Sequence, residues 1–351
     1  MKITDLEKKE ILKYISLFPF TENIKNKTFL VTGAGGMTGQ AVIKWLLLEN
    51  EINGTHAFVY ASTRNPQKGL AYLDETDSVI LCEFGKEKEA IGEKQVDYII
   101  HGAAPTARTF FMENPVETFD IIANETLRLL KLAQEKEHCR FLYLSSMDVY
   151  GTPHSEEPVA ESYVGTIDPL NIRNAYPVGK RSGEFLCNAF EKEYGVDTVI
   201  VRPASIQGLF QPYEEPRVFN EILCCLAEKR NLVLKSDGTV RKCFLYTLDA
   251  VSAIFTVLFY GNRGEAYNVT NPETFRPLKD IAEHLFRQFS PENKVVFEIQ
   301  KESVTGYLPS FSFVQSNEKI CALGWKPVCS MDEIYEIDLK RFSGGDKEVS
   351  V

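Results

Sequence analysis

Short apolar runs alternate with longer stretches of helical periodicity in the first part of the chain. The runs predict six β-strands, at residues 28–31, 57–61, 79–82, 96–100, 140–144 and 198–201. The periodic stretches predict helices from Met37 onward, over 116–134 and over 174–193. Strands that are apolar throughout are buried on both faces, so this alternation predicts an α/β fold with a parallel sheet between two layers of helices.

The two ends of the chain differ from this alternating region. Residues 1–26 carry apolar positions at helical spacing, which predicts an N-terminal helical extension packed on the main domain. Residues 203–238 and 263–345 are more irregular and richer in proline and aromatic residues. We expect these two segments to form a smaller lobe, with about 239–262 returning to the main domain.

Charge and cysteine content exclude several classes of protein. The net charge is −10 and no Lys/Arg-rich block occurs, which argues against a nucleic-acid partner. The eight cysteines have no CxxC spacing and no Cys/His cluster, so we expect no metal site and a reducing compartment. The N-terminus is not a signal peptide, and no apolar run reaches the length of a membrane span. We therefore expect a cytoplasmic protein with no membrane segment.

A glycine-rich turn joins the first strand to the first helix. Gly33, Gly36 and Gly39 lie in the sequence Thr-Gly-Ala-Gly-Gly-Met-Thr-Gly, with Met37 at the start of the helix. Such glycines allow a tight turn, a close approach of backbone to a pyrophosphate and close packing of the helix. The helix N-terminus then offers free N–H groups to phosphates. This turn predicts a dinucleotide-binding domain over 27–202, completed by about 239–262.

A tyrosine and a lysine lie one helical turn apart after the fifth strand. Tyr176 and Lys180 share one face of the predicted helix, so the phenol and the ammonium can act together. A phenol has a pKa of about 10 and is a poor base at neutral pH. A nearby ammonium and a cationic nicotinamide would favour the phenolate and make Tyr176 a usable acid/base.

The Gly-x-x-Gly-x-x-Gly spacing after Thr32 resembles the short-chain dehydrogenase/reductase superfamily, specifically its extended branch of nucleotide-sugar epimerases and dehydratases. Ser146 lies four residues before the tyrosine of Val-Tyr-Gly, as in that branch, and with Tyr176 and Lys180 it matches the catalytic triad. The resemblance implies a Rossmann-type doubly wound parallel sheet with a smaller C-terminal substrate-binding lobe. It also implies NAD or NADP as cofactor, a nucleotide-diphosphate sugar as substrate, and a homodimer formed by the helices around 117–134 and 176–193.

The resemblance implies roles for further residues along the chain. Ala103, Ala104, Asn124 and Pro203 match cofactor-contacting segments. Ser205 stands where the family usually has a substrate-contacting Asn, and Arg241 or Lys242 stands where it grips the substrate diphosphate.

Two residues bear on which reaction is catalysed. Asp148 occupies a position that is acidic, normally Glu, in the family's dehydratases and decarboxylases, where a carboxylate can take a proton from C5 or serve decarboxylation. The alternative is a residue that only caps a turn. Thr63 and Arg64 follow the second strand, where an NAD site generally has an acid and Arg accommodates a 2′-phosphate. Arg64 is thus compatible with NADP or with a solvated loop.

We therefore predict an enzyme that converts a nucleotide-diphosphate sugar through a 4-keto intermediate, in the synthesis of surface-polysaccharide precursors. Tyr176 would act on O4, Ser146 would orient O4, and Lys180 would hold the ribose and tune the phenol. The alternatives are an NADPH-dependent reductase of a keto sugar or ketose phosphate, and a non-catalytic dinucleotide sensor. The intact Ser/Tyr/Lys set argues against the sensor.

Overall fold

A seven-stranded parallel sheet forms the centre of the molecule. The computed structural model describes residues 2–69, 73, 76–153, 155, 157–213, 215, 217–299 and 312–343. The strands of the sheet lie in the order β11-β6-β5-β4-β1-β2-β3. Their bounds are β1 Thr28–Thr32, β2 Phe58–Thr63, β3 Val79–Glu83, β4 Tyr98–His101, β5 Arg140–Leu144, β6 Asp197–Pro203 and β11 Ala266–Val269. This confirms the predicted Rossmann-type α/β fold.

Helices cover both faces of the sheet because neighbouring strand residues point to opposite sides. Leu142 belongs to one buried cluster and Phe141 to another. The helices are α1 Asp5–Leu17, α2 Thr21–Ile24, α3 Met37–Asn53, α4 Pro66–Gly69, α5 Glu87–Ile91, α6 Arg108–Glu113, α7 Pro115–Phe119, α8 Glu125–Glu135, α9 Ala175–Tyr194, α10 Val218–Ala227, α11 Thr247–Tyr260, α12 Leu278–Phe289, α13 Glu318–Cys321 and α14 Met331–Ser343. The first cluster lies under α1, α3 and α11, and the second under α8 and α9.

The predicted helix over 116–134 is interrupted. Helix α7 ends at Phe119, a π-helical turn spans Asp120–Asn124, and α8 continues from Glu125. A π turn changes which positions face inward, and such turns are frequent at functional sites. Here it leaves Ile122 and Ala123 buried.

The N-terminal helices pack on α3 and α11. The phenol of Tyr14 donates to Asp249 at 2.8 Å, and Lys44 pairs with Glu7 at 3.0 Å. Both interactions join the extension to the main domain through buried polar groups. Within the described residues, no helix is long and apolar enough to cross a membrane.

A separate apolar cluster forms the core of the smaller lobe, and it includes residues of α10, α12 and α14. The short strands pair as β7 Ser205–Gln207 with β10 Phe244–Tyr246, β8 Leu232–Leu234 with β13 Val295–Phe297, and β9 Arg241–Lys242 with β12 Arg276–Pro277. The structure differs from the predicted division into two domains in one respect. Strand β11 lies within 263–345, yet it pairs with β6 in the central sheet, Tyr267 opposite Val201. The division of the chain into domains otherwise stays a prediction.

Candidate active site

The glycine turn brings the end of β1 close to the segment after β4. Gly33 has a φ of +73°, and a Cβ there would lie 3.0 Å from the backbone nitrogen of Ala103. A Cβ at Gly39 would overlap the carbonyl oxygen of Gly33. Only glycine fits either position without moving the backbone. Gly36 is the N-cap of α3, so Met37 begins the helix with no side chain capping it.

This turn fits the pyrophosphate of a dinucleotide. The uncapped N–H groups of the first helical turn and the positive end of the helix dipole favour an anion at this place. The absence of Cβ atoms at Gly33 and Gly39 keeps the turn tight, and Gly36 allows close approach. In the described part of the chain, no group of three or more His, Cys, Asp or Glu side chains is arranged to hold a metal ion.

A chain of buried hydrogen bonds fixes the end of β4. The hydroxyl of Thr126 donates to the carbonyl of Ile122 at 2.5 Å, so it accepts from Nε2 of His101 at 3.0 Å. Nδ1 of His101 then accepts from Thr32 at 2.7 Å, and Thr32 accepts from the N–H of Ala103 at 3.3 Å. Burial lowers the pKa of His101 to about 3, so the ring is neutral.

The described segment 58–69, which contains the end of β2, has no acidic residue. β2 ends at Thr63, and the exposed Arg64 follows it. The buried Glu87 accepts from the hydroxyl of Ser62 at 2.6 Å and from Arg128 at 2.5 Å. Because Glu87 is occupied by these partners, it is not available to a ribose hydroxyl.

Ser146, Tyr176 and Lys180 come together between the end of β5 and the start of α9. All three are buried, at 8%, 9% and 2% exposure. Ser146 and Tyr176 share a side-chain hydrogen bond. The ammonium of Lys180 lies 5.7 Å from the centre of the Tyr176 ring and donates to the carbonyl of Leu144 at 2.6 Å. Phe111 stacks on Tyr176 with ring centres 5.7 Å apart. The structure therefore brings these three residues together, and their catalytic roles stay a prediction.

The pKa of Tyr176 is raised well above its usual range in the cofactor-free protein. Burial is the largest cause, and the charge of Asp148 adds to it. The hydrogen bond from Ser146 and the charge of Arg217 act in the opposite direction. The phenol is therefore protonated at neutral pH until a further positive charge favours the phenolate.

The position of Lys180 differs from the one expected if its ammonium directly favoured the phenolate. Its ammonium donates to the Leu144 carbonyl, and the three groups that shift the pKa of Tyr176 are Asp148, Ser146 and Arg217. Burial lowers the pKa of Lys180 to about 7, against the opposing charge of Glu184. A lysine this deeply buried carries only part of its charge near neutrality. Of the two cations expected to favour the phenolate, the nicotinamide would therefore have the larger effect.

The model of the NAD dependent epimerase/dehydratase family matches residues 29–270, which include the glycine turn and the Ser/Tyr/Lys group. The chain belongs to this family. The match confirms the resemblance drawn from the motifs, and the family is NAD dependent by description.

Curated relatives extend beyond the matched segment. UDP-glucuronic acid decarboxylase 6 of Arabidopsis thaliana is 26% identical over 318 residues, covering 88% of this chain and 86% of the relative. UDP-glucuronic acid decarboxylase 1 of Danio rerio is 26% identical over 349 residues, covering 97% of this chain and 78% of the relative.

Solved structures of other proteins share the fold. An epimerase of Methanothermobacter thermautotrophicus has a TM-score of 0.77 at 20% identity, covering 95% of this chain and 97% of that chain. The dTDP-glucose 4,6-dehydratase of Bacillus anthracis, in complex with NAD, has a TM-score of 0.74 at 18% identity, covering 92% and 98%. At these identities the likeness concerns the fold.

Asn124, predicted as a cofactor contact from the family resemblance, lies elsewhere. It is exposed, its amide donates to Asp120 at 2.7 Å, and it lines an outer groove with Phe119 and Phe185. The π turn accounts for this difference, since it turns Ile122 inward, where a Cβ on Gly179 would lie 3.2 Å from it. The structure therefore does not bring Asn124 to the other candidate residues.

The remaining candidates lie on the strands that follow. Pro203 ends β6 and is buried, and the half-buried Ser205 begins β7. The exposed Arg241 stacks on Phe275, with its guanidinium carbon 4.4 Å from the ring centre. Lys242 lies opposite Arg276 in β12. These contacts do not involve the catalytic group, and the binding roles of the four residues stay predictions. Ala104 follows Ala103 after β4 as predicted.

Sequence reasoning missed Arg217. It lies at the N-cap of α10, is held by Glu215 at 2.6 Å, and is close enough for its charge to lower the pKa of Tyr176. It stands 41 residues from Tyr176 in the chain and belongs to no motif that we recognised. The one sequence signal for Arg217 is a positive charge immediately before the apolar helix α10.

Proposed function

We propose that the protein converts a nucleotide-diphosphate sugar through a 4-keto intermediate, by epimerisation, dehydration or decarboxylation. The observation that carries this proposal is the buried group of Ser146, Tyr176 and Lys180 beside the glycine turn. Membership of the NAD dependent epimerase/dehydratase family supports it.

The protein side chains would accept one proton and hold the sugar in position. Tyr176 would take the proton of the O4 hydroxyl, and Ser146 would hydrogen-bond O4 and hold it against the phenol. Lys180 would hold the ribose hydroxyls of the cofactor. When bound, the dinucleotide supplies the acceptor and donor of a hydride. The O4 hydroxyl must lose its proton when C4 is oxidised to a carbonyl, and Tyr176 would accept that proton.

Asp148 favours a reaction that goes beyond epimerisation. Its charge acts on Tyr176, and it lies exposed in the same part of the molecule. From there its carboxylate would take a proton from C5 or serve the loss of a carboxyl group. The curated relatives named UDP-glucuronic acid decarboxylases support a uronate among the substrates to be tested.

Binding roles follow for the other predicted residues. The dinucleotide would lie over the turn of Gly33, Gly36 and Gly39, with Ala103, Ala104 and Pro203 along it and Thr63 and Arg64 at its adenosine end. Arg241 or Lys242 would bind the substrate diphosphate and Ser205 the sugar.

A reductase that consumes NADPH is the second candidate. It is favoured by the end of β2, where Arg64 is exposed and Glu87 is occupied by Ser62 and Arg128. An Arg at this position suits the 2′-phosphate of NADP.

We also propose a homodimer formed by the faces of α7, α8 and α9. Phe119, Leu127 and Phe185 line a groove of about 380 Å³ there, and Phe185 is 71% exposed. Exposed aromatic side chains beside an apolar groove mark protein interfaces. Light scattering of the protein and of Phe185→Asp should give a dimer and a monomer, respectively.

The cytoplasm is the proposed compartment, and surface-polysaccharide precursor synthesis is the proposed setting. The free thiols of Cys82, Cys187 and the other cysteines support a reducing environment.

The first experiment is to denature the purified protein and identify the released nucleotide by mass spectrometry. Retained NAD⁺ would support the closed redox cycle, in which the cofactor is regenerated at every turnover. The protein is then assayed with UDP-glucuronate, UDP-glucose and dTDP-glucose, and products are followed by NMR for inversion, loss of water or loss of CO₂. An empty site that takes up NADPH preferentially, with no conversion of any nucleotide sugar, would overturn the proposal in favour of the reductase.

A further inference from the structure

Three residues of α9, spaced one turn apart, contact three consecutive residues at the end of β5. Residues four apart lie on one face of a helix. The contacts are Tyr176 with Ser146, Lys180 with the Leu144 carbonyl at 2.6 Å, and Glu184 with the Ser145 hydroxyl at 2.6 Å. One face of the helix therefore fixes the strand end that carries Ser146.

Glu184 also joins this strand end to its neighbour. Arg202, on β6, donates to the two carboxylate oxygens of Glu184 at 2.8 and 2.7 Å. β5 and β6 are adjacent, and the N–H of Ser145 donates to the carbonyl of Val201 at 2.8 Å. Glu184 and Ser145 are buried, at 8% and 3% exposure. Paired, two-pronged Arg–carboxylate contacts are rigid and directional.

We propose that Glu184 is a positioning residue for the catalytic pair: it holds the β5 end so that Ser146 faces Tyr176, and its carboxylate is the countercharge of the Lys180 ammonium. This proposal rests on the roles of Tyr176 and Lys180 given above. Its test reads the charge of Lys180 directly, so it does not depend on which sugar is the substrate.

The groups around Lys180 show why this countercharge matters. Tyr176 and Glu184 face it from its own helix, Tyr143 from β5 with its ring centre 5.0 Å away, and His101 from β4. His101 is neutral, because burial lowers its pKa to about 3. Burial also lowers the pKa of Lys180, and Glu184 is the carboxylate that opposes this shift.

We expect Arg202 to have the opposite effect on the same lysine, because its guanidinium donates to both Glu184 oxygens, at 2.8 and 2.7 Å, and offsets part of the carboxylate charge. Removing the Glu184 charge should therefore lower the pKa of Lys180, because the Arg202 cation then stands alone. Removing the Arg202 charge should raise it. If Glu184 served only in packing, the two substitutions would not shift the pKa of Lys180 in opposite directions.

The experiment titrates Lys180 by NMR in the full-length, cofactor-free protein labelled with ¹³Cε-lysine. The Lys180 resonance is assigned as the signal missing from Lys180→Arg. We expect the midpoint to fall by about one pH unit in Glu184→Gln and to rise by a similar amount in Arg202→Gln, a tenfold change in each proton-dissociation constant. Glu191→Gln is the matched control, because Glu191 lies on the same helix but pairs with Arg263 at 3.2 Å. Its midpoint should equal that of the wild type.

Glu184→Asp keeps the charge and should restore the midpoint to within about 0.3 unit of the wild-type value. Should Glu184→Gln fail to fold, as judged by circular dichroism, the Arg202→Gln and Glu184→Asp midpoints decide the question. Shifts of the same sign in Glu184→Gln and Arg202→Gln, or no shift in a folded Arg202→Gln, would overturn the proposal. A normal Lys180 titration in a protein that converts no nucleotide sugar would count against the proposed function alone.

Discussion

The two ends of the proposed cofactor site, the catalytic end at Lys180 and the adenosine end at Arg64, are built in different ways. At the catalytic end, Lys180 and Glu184 are buried and each has a close polar partner on a strand end. At the adenosine end, Arg64 is exposed on the loop after β2, and the nearby acid Glu87 is turned inward to Ser62 and Arg128.

This difference follows from what each end is proposed to do. Proton transfer needs a phenol with a fixed position and an adjusted pKa, which requires burial and several partners. Recognition of a 2′-phosphate needs only one suitably placed cation near the surface. A substitution at the catalytic end should therefore change chemistry and stability together, whereas one at the adenosine end should change only the choice of cofactor.

The largest effect is expected for Tyr176→Phe. Loss of the phenol removes the proposed acid/base while the ring and its stacking on Phe111 remain. Turnover of the substrate found in the panel should fall by at least about 10³-fold, within the range for a general acid/base. Isothermal titration should show unchanged cofactor affinity. Turnover within tenfold of the wild type would refute the assigned role.

Gly39→Ala should disrupt the glycine turn that is proposed to bind the pyrophosphate of the cofactor. The new Cβ would overlap the carbonyl of Gly33, so the turn must open, at a cost of about 1–3 kcal/mol. Cofactor affinity, measured by titration calorimetry, should fall more than about tenfold. Gly54→Ala is the control: a Cβ there meets nothing within 4 Å, and only the left-handed backbone at φ +61° is strained. Equal cofactor binding by Gly39→Ala and the wild type would contradict the phosphate-binding role of the turn.

Lys180 should make the stability of the cofactor-free protein depend on pH. Burial lowers its pKa in the folded state to about 7, whereas an unfolded lysine titrates near 10.4. Between these values the unfolded chain binds more protons, so this group makes stability rise with pH, by up to about 1.4 kcal/mol per pH unit. Urea unfolding between pH 7 and 9 should show a smaller slope in Lys180→Met. Lys192→Met, at a side chain 83% exposed, should leave the slope unchanged. A slope equal to that of the wild type in Lys180→Met would mean that the lysine is not desolvated.

The sequence predicted those features that depend on neighbouring residues. The six strands and the glycine turn follow from local patterns of apolar residues and glycine, and the structure has all six strands within a few residues of the predicted bounds. The spacing of Tyr176 and Lys180 likewise placed both on one helical face.

Features that depend on distant residues could not be predicted in this way. The π turn at Asp120–Asn124 leaves no clear trace in the apolar pattern, so the exposed position of Asn124 could not be predicted from it. Strand β11 is too short to reveal from sequence that it pairs with β6. Arg217 acts on the pKa of Tyr176 through its charge across 41 residues of chain, and the fold alone brings the two residues near enough for this effect.

The smallest effect is expected for Arg64→Ala, and it concerns the exposed end alone. If Arg64 binds a 2′-phosphate, the affinity for NADP⁺ should fall about tenfold, or about 1.4 kcal/mol, while the affinity for NAD⁺ stays the same. The melting temperature should barely change, since an exposed substitution shifts stability by less than about 0.5 kcal/mol. Arg263→Ala removes an exposed arginine that pairs with Glu191 instead, and should alter neither affinity. An equal loss for both dinucleotides would mean that Arg64 contacts a part they share. No loss for either would mean a solvated arginine, and Arg64 would then no longer favour the reductase over the closed redox cycle.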